Sequence, residues 1–231
     1  SESCIRGWEL MLSVLATCPP SEQLAPHVGW HFGEHLSSTQ ESADYTQSVS
    51  NYAEKCLVAL PKAMKLGCRR ERPTLLESQA TSKGEGIPVR AYLVDGRHIT
   101  LSIDAWTTAL DLADALGSDL GGVSRGDGLR VFEVSDEALQ ERCLDDDERV
   151  LDVLAYWDRI QLQDKKKRRR TAHFKLMYKV RYFFTDTLSS PCAEELHYQQ
   201  ARQDILDERY PCSLPEACTL AALALQEQYG D

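Results

Sequence analysis

The sequence predicts an α+β multidomain chain: an all-α part over residues 1–82, a small sheet wrapped over one helix over 87–163, and a second helical part over 164–231. Three observations carry this. Apolar residues recur at helical spacing on both sides of a central stretch. That stretch, "IPVRAYLVDGRHITLSIDAWTTALDLADAL" (87–116), alternates apolar and polar, turns at Asp95-Gly96, alternates again and then changes to a helical period. Acidic charge is also concentrated in the middle: residues 1–86 carry 8 basic against 10 acidic side chains, 87–163 carry 7 against 16, and 164–231 carry 11 against 10. The composition thus shifts near Gly84 and again near Asp164.

In the first unit, Trp8, Met11, Leu12 and Leu15 follow helical spacing until Pro19-Pro20 stops the run. Ser21 with Leu24 and Val28 restarts it. A third helix fits 45–65, where Val49, Tyr52, Ala53, Cys56, Leu57 and Leu60 form one stripe, and Pro61 is expected to kink or end it. In "RRERPTLLESQA", Thr74 and Glu77 have capping-box spacing, so the Thr hydroxyl meets a first-turn amide while the Glu reaches back. Lys83-Gly84-Glu85-Gly86 is a short linker, since two glycines in four residues hold neither helix nor strand cheaply.

In the second unit, Val89 to Leu93 and Ile99 to Ile103 make a hairpin through Asp95-Gly96, which accepts positive φ. Ala109, Leu112, Ala113 and Leu116 give a helix ending at Gly117. "LRVFEV" is a strand, "RVLDVLAYWD" a short helix or turn, and "RIQLQD" the closing strand. Hairpin, helix, strand and closing strand make an α+β roll of ubiquitin-like order. In the third unit "HFKLMYKVRYFF" is extended, and two helices follow, split at Tyr210-Pro211, with Ser213 and Glu216 at capping-box spacing.

The segment "ARQDILDERYPCSLPEACTLAALALQEQYGD" resembles the helical second lobe of FERM domains, and the ubiquitin-like β-grasp roll before it resembles the first lobe. Residues 4–80, with "RGWELM", "CPPSEQL" and "GCRRERPTLLE" in order, resemble the C-terminal part of a myosin tail homology 4 (MyTH) domain. The tandem occurs in unconventional myosin tails, here myosin XV-like or myosin VII-like, in some plant kinesins and in a few adaptors. The resemblance implies a partial helical bundle, then the roll, then a partial helical FERM lobe, with the first helices and the third lobe lacking. On that reading the chain is a fragment with incomplete ends, and an apolar stripe that absent helices would cover is exposed and prone to association.

Other chemistry finds little support. Eight widely spaced cysteines without a C-x-x-C pair read as reduced, mostly buried thiols. His27, His31 and His35 stand four apart, but nothing is placed to complete a metal shell, so no metal or cofactor is expected. "LDDDERVLDV" lacks the spacing of a calcium loop and suits a helix N-terminus. Neither G-x-S-x-G nor G-x-x-x-x-G-K-[ST] is present, so the chain is read as non-catalytic, with any motor ATPase outside it. The absence of a membrane-length apolar run or a signal sequence predicts an intracellular protein.

Two basic groups remain. "KKKRRR" (Lys165, Lys166, Lys167, Arg168, Arg169, Arg170) is either a solvated linker or a site for an anionic lipid, an acidic partner segment or a microtubule. Nucleic acid is set aside, because the surroundings are acidic and no aromatic platform accompanies the run. Lys62, Lys65 and Arg69 lie in the part where the family resemblance implies partner binding, whereas Arg70 and Arg72, beside Pro73 and the cap, are expected to pack the helical part against the roll. The expected function is a cargo-binding, cytoskeleton-linking tail module of an unconventional myosin. It would bind peptide segments of cargo or scaffold proteins in grooves between lobes, reach actin only through an attached motor, and sit in the cytoplasm at actin-based protrusions. The rival reading is a phosphoinositide-recruited adaptor without a motor.

Overall fold

A computed structural model describes residues 2–36, 44–135, 140–167, 173–183 and 188–230. Helices α1 (Glu2–Thr17), α2 (Ala25–Leu36), α3 (Asp44–Leu66) and α4 (Leu75–Lys83) come first. α3 packs against both α1 and α2. Its buried Val49, Ala53, Cys56, Ala59 and Ala63 recur every three or four residues, opposite Trp8, Leu12, Leu15 and Phe32. Pro61 does not end α3 as expected; the helix runs on to Leu66. Proline costs a helix interior about 3 kcal/mol, but this ring lies on the exposed side while Ala59 and Ala63 are buried to either side of it.

Thr74 accepts a hydrogen bond from the Glu77 amide at 3.2 Å, which is half of the expected capping box. The Glu77 carboxylate turns elsewhere, to Arg69. Gly84 ends α4 at φ 64, where a Cβ would collide with the Lys55 side chain, and the Lys55 ammonium donates to the Lys83 carbonyl at 2.7 Å.

Five strands, β1 (Ile87–Leu93), β2 (His98–Ile103), β3 (Leu129–Ser135), β4 (Gln140–Cys143) and β5 (Phe174–Val180), form one mixed sheet in the order β2-β1-β5-β3-β4. The hairpin pairs Ile87 with Ile103 and Tyr92 with His98, and Gly96 takes φ 86 in its turn. β5 runs parallel to β1 and antiparallel to β3. Helix α5 (Ala109–Asp119), held at its start by a Thr108–Asp111 capping box, buries Leu112, Ala113 and Leu116. Gly117 lies inside α5 rather than ending it, because the Val123 carbonyl approaches too closely for any Cβ.

The closing strand is not "RIQLQD". Residues Val150–Lys166 form one helix, α6, burying Val150, Leu151, Val153 and Trp157. The Ile160–Leu162 alternation imitates a strand, but it continues a helical stripe into Gln, Asp and Lys, and Leu162 is exposed. The central place falls to β5, whose Leu176, Tyr178 and Val180 are buried. The sheet therefore draws on residues from both sides of the expected 163/164 boundary.

Helices α7 (Pro191–Leu206) and α8 (Leu214–Tyr229) follow, with Glu216 accepting from the Ser213 amide at 2.9 Å. α7 buries Ala193 and Leu196, whereas α8 has no buried residue and leaves Leu220, Leu223 and Leu225 about half exposed. Among the cysteines only Cys56 is fully buried, and burial pushes its thiol up to about 12. The expectation of mostly buried thiols fails, since Cys4, Cys18, Cys68 and Cys218 are exposed.

Candidate partner-binding surface

The helical unit meets the roll at the start of α6. Arg149 stands at the N-cap position, where arginine has no capping oxygen to offer, and its side chain makes no cap bond. It reaches across instead. Its guanidinium donates to the Ala16 carbonyl at 3.0 Å and the Gly67 carbonyl at 2.6 Å, in the last turn of α1 and just past α3. One cation thereby satisfies carbonyls at two helix C-termini, where the helix dipoles also favour positive charge.

Beside it Arg69 bonds Glu77 of α4 and Asp152 of α6, and all three side chains are under a tenth exposed. Asp152 accepts in addition from the backbone amides of Arg70 at 3.3 Å and Glu71 at 3.1 Å. Burial works against the Arg69 charge, yet Glu77 and Asp152 together hold it above the ordinary arginine value. Burial, and then repulsion from Arg69, push Arg149 below it. Two cations and two carboxylates balance inside the joint. On its rim Arg159 pairs with Glu71 at 2.7 Å and Lys62 with Asp104 at 2.9 Å.

Several expected site residues change role. Arg69, assigned to partner binding, is buried in the joint, and Arg70 and Arg72, assigned to interdomain packing, have exposed side chains. The loop after α3 decides this, because its turn points only the first of these three arginines at Asp152. Lys62 is engaged by the roll and Lys65 is exposed at the end of α3, so the cluster does not form one basic patch. Lys165 and Lys166 occupy the last turn of α6 with Lys167 at its C-cap, all exposed and favourably placed for the helix dipole. Arg168, Arg169 and Arg170 lie outside the described residues. His31 stacks on Trp8 at 5.7 Å and His35 meets the same ring edge-on at 5.2 Å.

The sequence reading missed Arg149, Asp152 and Trp106. An arginine directly before a helix was the available signal for the first. Trp106 is buried against a cleft of about 290 Å³ between the two units, whose lining also includes Leu12 and Val58, the lysines Lys55 and Lys62, and the carboxylates Glu54, Glu85 and Asp104. The indole N–H has no hydrogen-bond partner among the described residues. A second groove, about 930 Å³, runs between α7 and α8 along Ile205, Leu206, Leu220 and Leu225. An apolar cleft with both lysines and carboxylates at its edge is suited to a peptide segment carrying an apolar anchor and flanks of mixed charge.

Comparison with known proteins follows the same division of the chain. Residues 1–80 match the MyTH4 domain, 85–182 an RA like domain and 185–231 the FERM central domain. A myosin-I heavy chain of Dictyostelium discoideum is 25% identical over 98% of this chain and 10% of its own length. The MyTH4-FERM MF1 domain of Dictyostelium discoideum myosin VII superposes with a TM-score of 0.80 at 23% identity, over 98% of this chain and 45% of that one. The C-terminal MyTH4-FERM domain of human myosin 7b, solved in complex with a harmonin-a PDZ3 domain, superposes at 0.66 and 20% identity, over 98% of this chain and 44% of that one. The chain thus spans about a tenth of the length of the curated relative it matches.

Proposed function

We propose that this chain, a MyTH4 domain followed by FERM-type lobes, is a partner-binding tail module of an unconventional myosin, linking cargo or scaffold proteins to actin through an attached motor. The buried joint of Arg69, Arg149, Glu77 and Asp152 carries the reading: it holds the MyTH4 domain and the first lobe at a fixed angle, so the cleft above Trp106 is shaped before a partner arrives. In this account the first lobe extends through β5, and residues 1–83 and 85–182 behave as one body. The work is non-catalytic recognition at the cytoskeleton, and actin-based protrusions are the expected place for it. No helix among the described residues is long and apolar enough to cross a membrane.

The test is quantitative affinity capture with the wild-type chain and with Val58→Asp/Lys62→Glu, both at the rim of the cleft. Partners that are lost at least about tenfold from a variant with unchanged melting temperature fit the reading; identical recoveries overturn it. The exposed Lys165, Lys166 and Lys167 favour a second reading, recruitment to phosphoinositide membranes. Replacing Lys165 to Arg170 by Gln would then abolish co-sedimentation with phosphoinositide vesicles, and unchanged binding would sink this alternative.

A further inference from the structure

Cys18 lies just past the end of α1 and Cys68 just past the end of α3, fifty positions apart in sequence, yet their sulfurs are 3.4 Å apart. Both residues are exposed, and neither thiol is in a disulfide. The flanking backbones are already joined: the Arg69 amide donates to the Thr17 carbonyl at 2.9 Å. Arg149 holds the carbonyls of Ala16 and Gly67 on the other side of the same junction. Closing the gap to a covalent S–S bond of about 2.05 Å asks the two sulfurs to approach by about 1.4 Å, within reach of side-chain rotation.

We propose that Cys18 and Cys68 form a reversible redox crosslink that fastens the seat on which Arg149 of the first lobe rests. The oxidant is a small-molecule disulfide of the glutathione class. One cysteine thiolate attacks a sulfur of the oxidant, forming a mixed disulfide and expelling one thiolate. The second cysteine then attacks the protein-bound sulfur, expels the other thiolate and leaves the Cys18–Cys68 bond. Two protein thiols are oxidised, the oxidant is reduced to two thiols, and the two cysteine protons end on them. Contact with Cys68 raises the Cys18 thiol above its ordinary value, so this is no isolated hyper-reactive nucleophile. What the site offers is a second sulfur already in place. In a reducing compartment such a bond is transient and responds to oxidation rather than serving as a permanent brace.

The full chain is incubated with oxidised glutathione, digested without reduction and analysed by mass spectrometry. The expected product is a linked Cys18–Cys68 peptide pair about 2 Da lighter than the two thiol peptides together, reversed by dithiothreitol. Cys18→Ser and Cys68→Ser, both at exposed positions, should each lose the linked pair and retain a glutathione adduct on the remaining thiol. Because the bond closes a long loop, the oxidised protein should also melt about 5 °C higher. Separate adducts on Cys18 and Cys68 in the wild type, or linkage to a different cysteine, would overturn the proposal.

Discussion

The roll is joined to helical neighbours on both sides, and the two joints are built differently. Towards the N-terminal helical unit it uses a closed set of buried ions, Arg69, Arg149, Glu77 and Asp152, every one under a tenth exposed. Towards α7 and α8 it mixes buried hydrogen bonds with ion pairs that are partly open to water. Gln200 brackets the Val180 backbone at 2.6 and 2.8 Å, Asp127 accepts from the amides of Ser124 and Ser189 at 2.7 Å, and Glu141 pairs with Lys179 and Arg209. α8 beyond them buries nothing. A buried ion set is unforgiving when one member is lost, whereas an exposed pair shares its charge with water. The first joint is therefore expected to give way as a unit, whereas the second anchors only α7.

The largest expected effect comes from breaking the first joint. Arg69→Ala leaves Glu77 and Asp152 buried without their cation, a loss of about 4 kcal/mol, and should lower the melting temperature by about 10 °C. Arg149→Ala removes the donors to Ala16 and Gly67 and should cost about 2 kcal/mol in urea unfolding. Arg149→Lys should recover little of it, because a single ammonium does not reproduce a fork spanning two carbonyls.

The second joint should respond less, and mainly to acid. Arg209, opposed by burial and helped by Lys179, holds Glu141 down to about 2 against an ordinary 4.5. A carboxylate lowered in the folded state contributes its stability above the unfolded value and loses it as the pH falls from 4.5 towards 2. With Arg209 44% exposed, that contribution is discounted to about 1 kcal/mol. Glu141→Gln should remove that part of the acid sensitivity, read as urea midpoints at about pH 6 and about pH 3. Smallest of all, Arg70→Gln with Arg72→Gln should change stability by less than about 0.5 kcal/mol, since both side chains are exposed.

What was legible in the sequence was local. The Asp95-Gly96 hairpin, α5, β3 and the cap before α8 each follow from a period or a cap within a dozen residues. β5 was read as extended but placed in the wrong unit, because nothing within Phe174–Val180 says that it slots between β1 and β3. The "RIQLQD" alternation then filled the vacancy, although it belongs to α6. The joint was harder still. Three arginines fall within four residues, and which one turns inward depends on Asp152, some eighty residues away in sequence.

Through this joint the N-terminal helical unit and the roll are proposed to form one cooperative body. Hydrogen exchange tests it most directly, comparing amides around Cys56 in α3 with those around Tyr178 in β5, in the wild type and in Arg69→Ala. Equal protection in the wild type, falling together in the variant, is expected of one cooperative body. Full protection of β5 in the variant while α3 opens alone would contradict it.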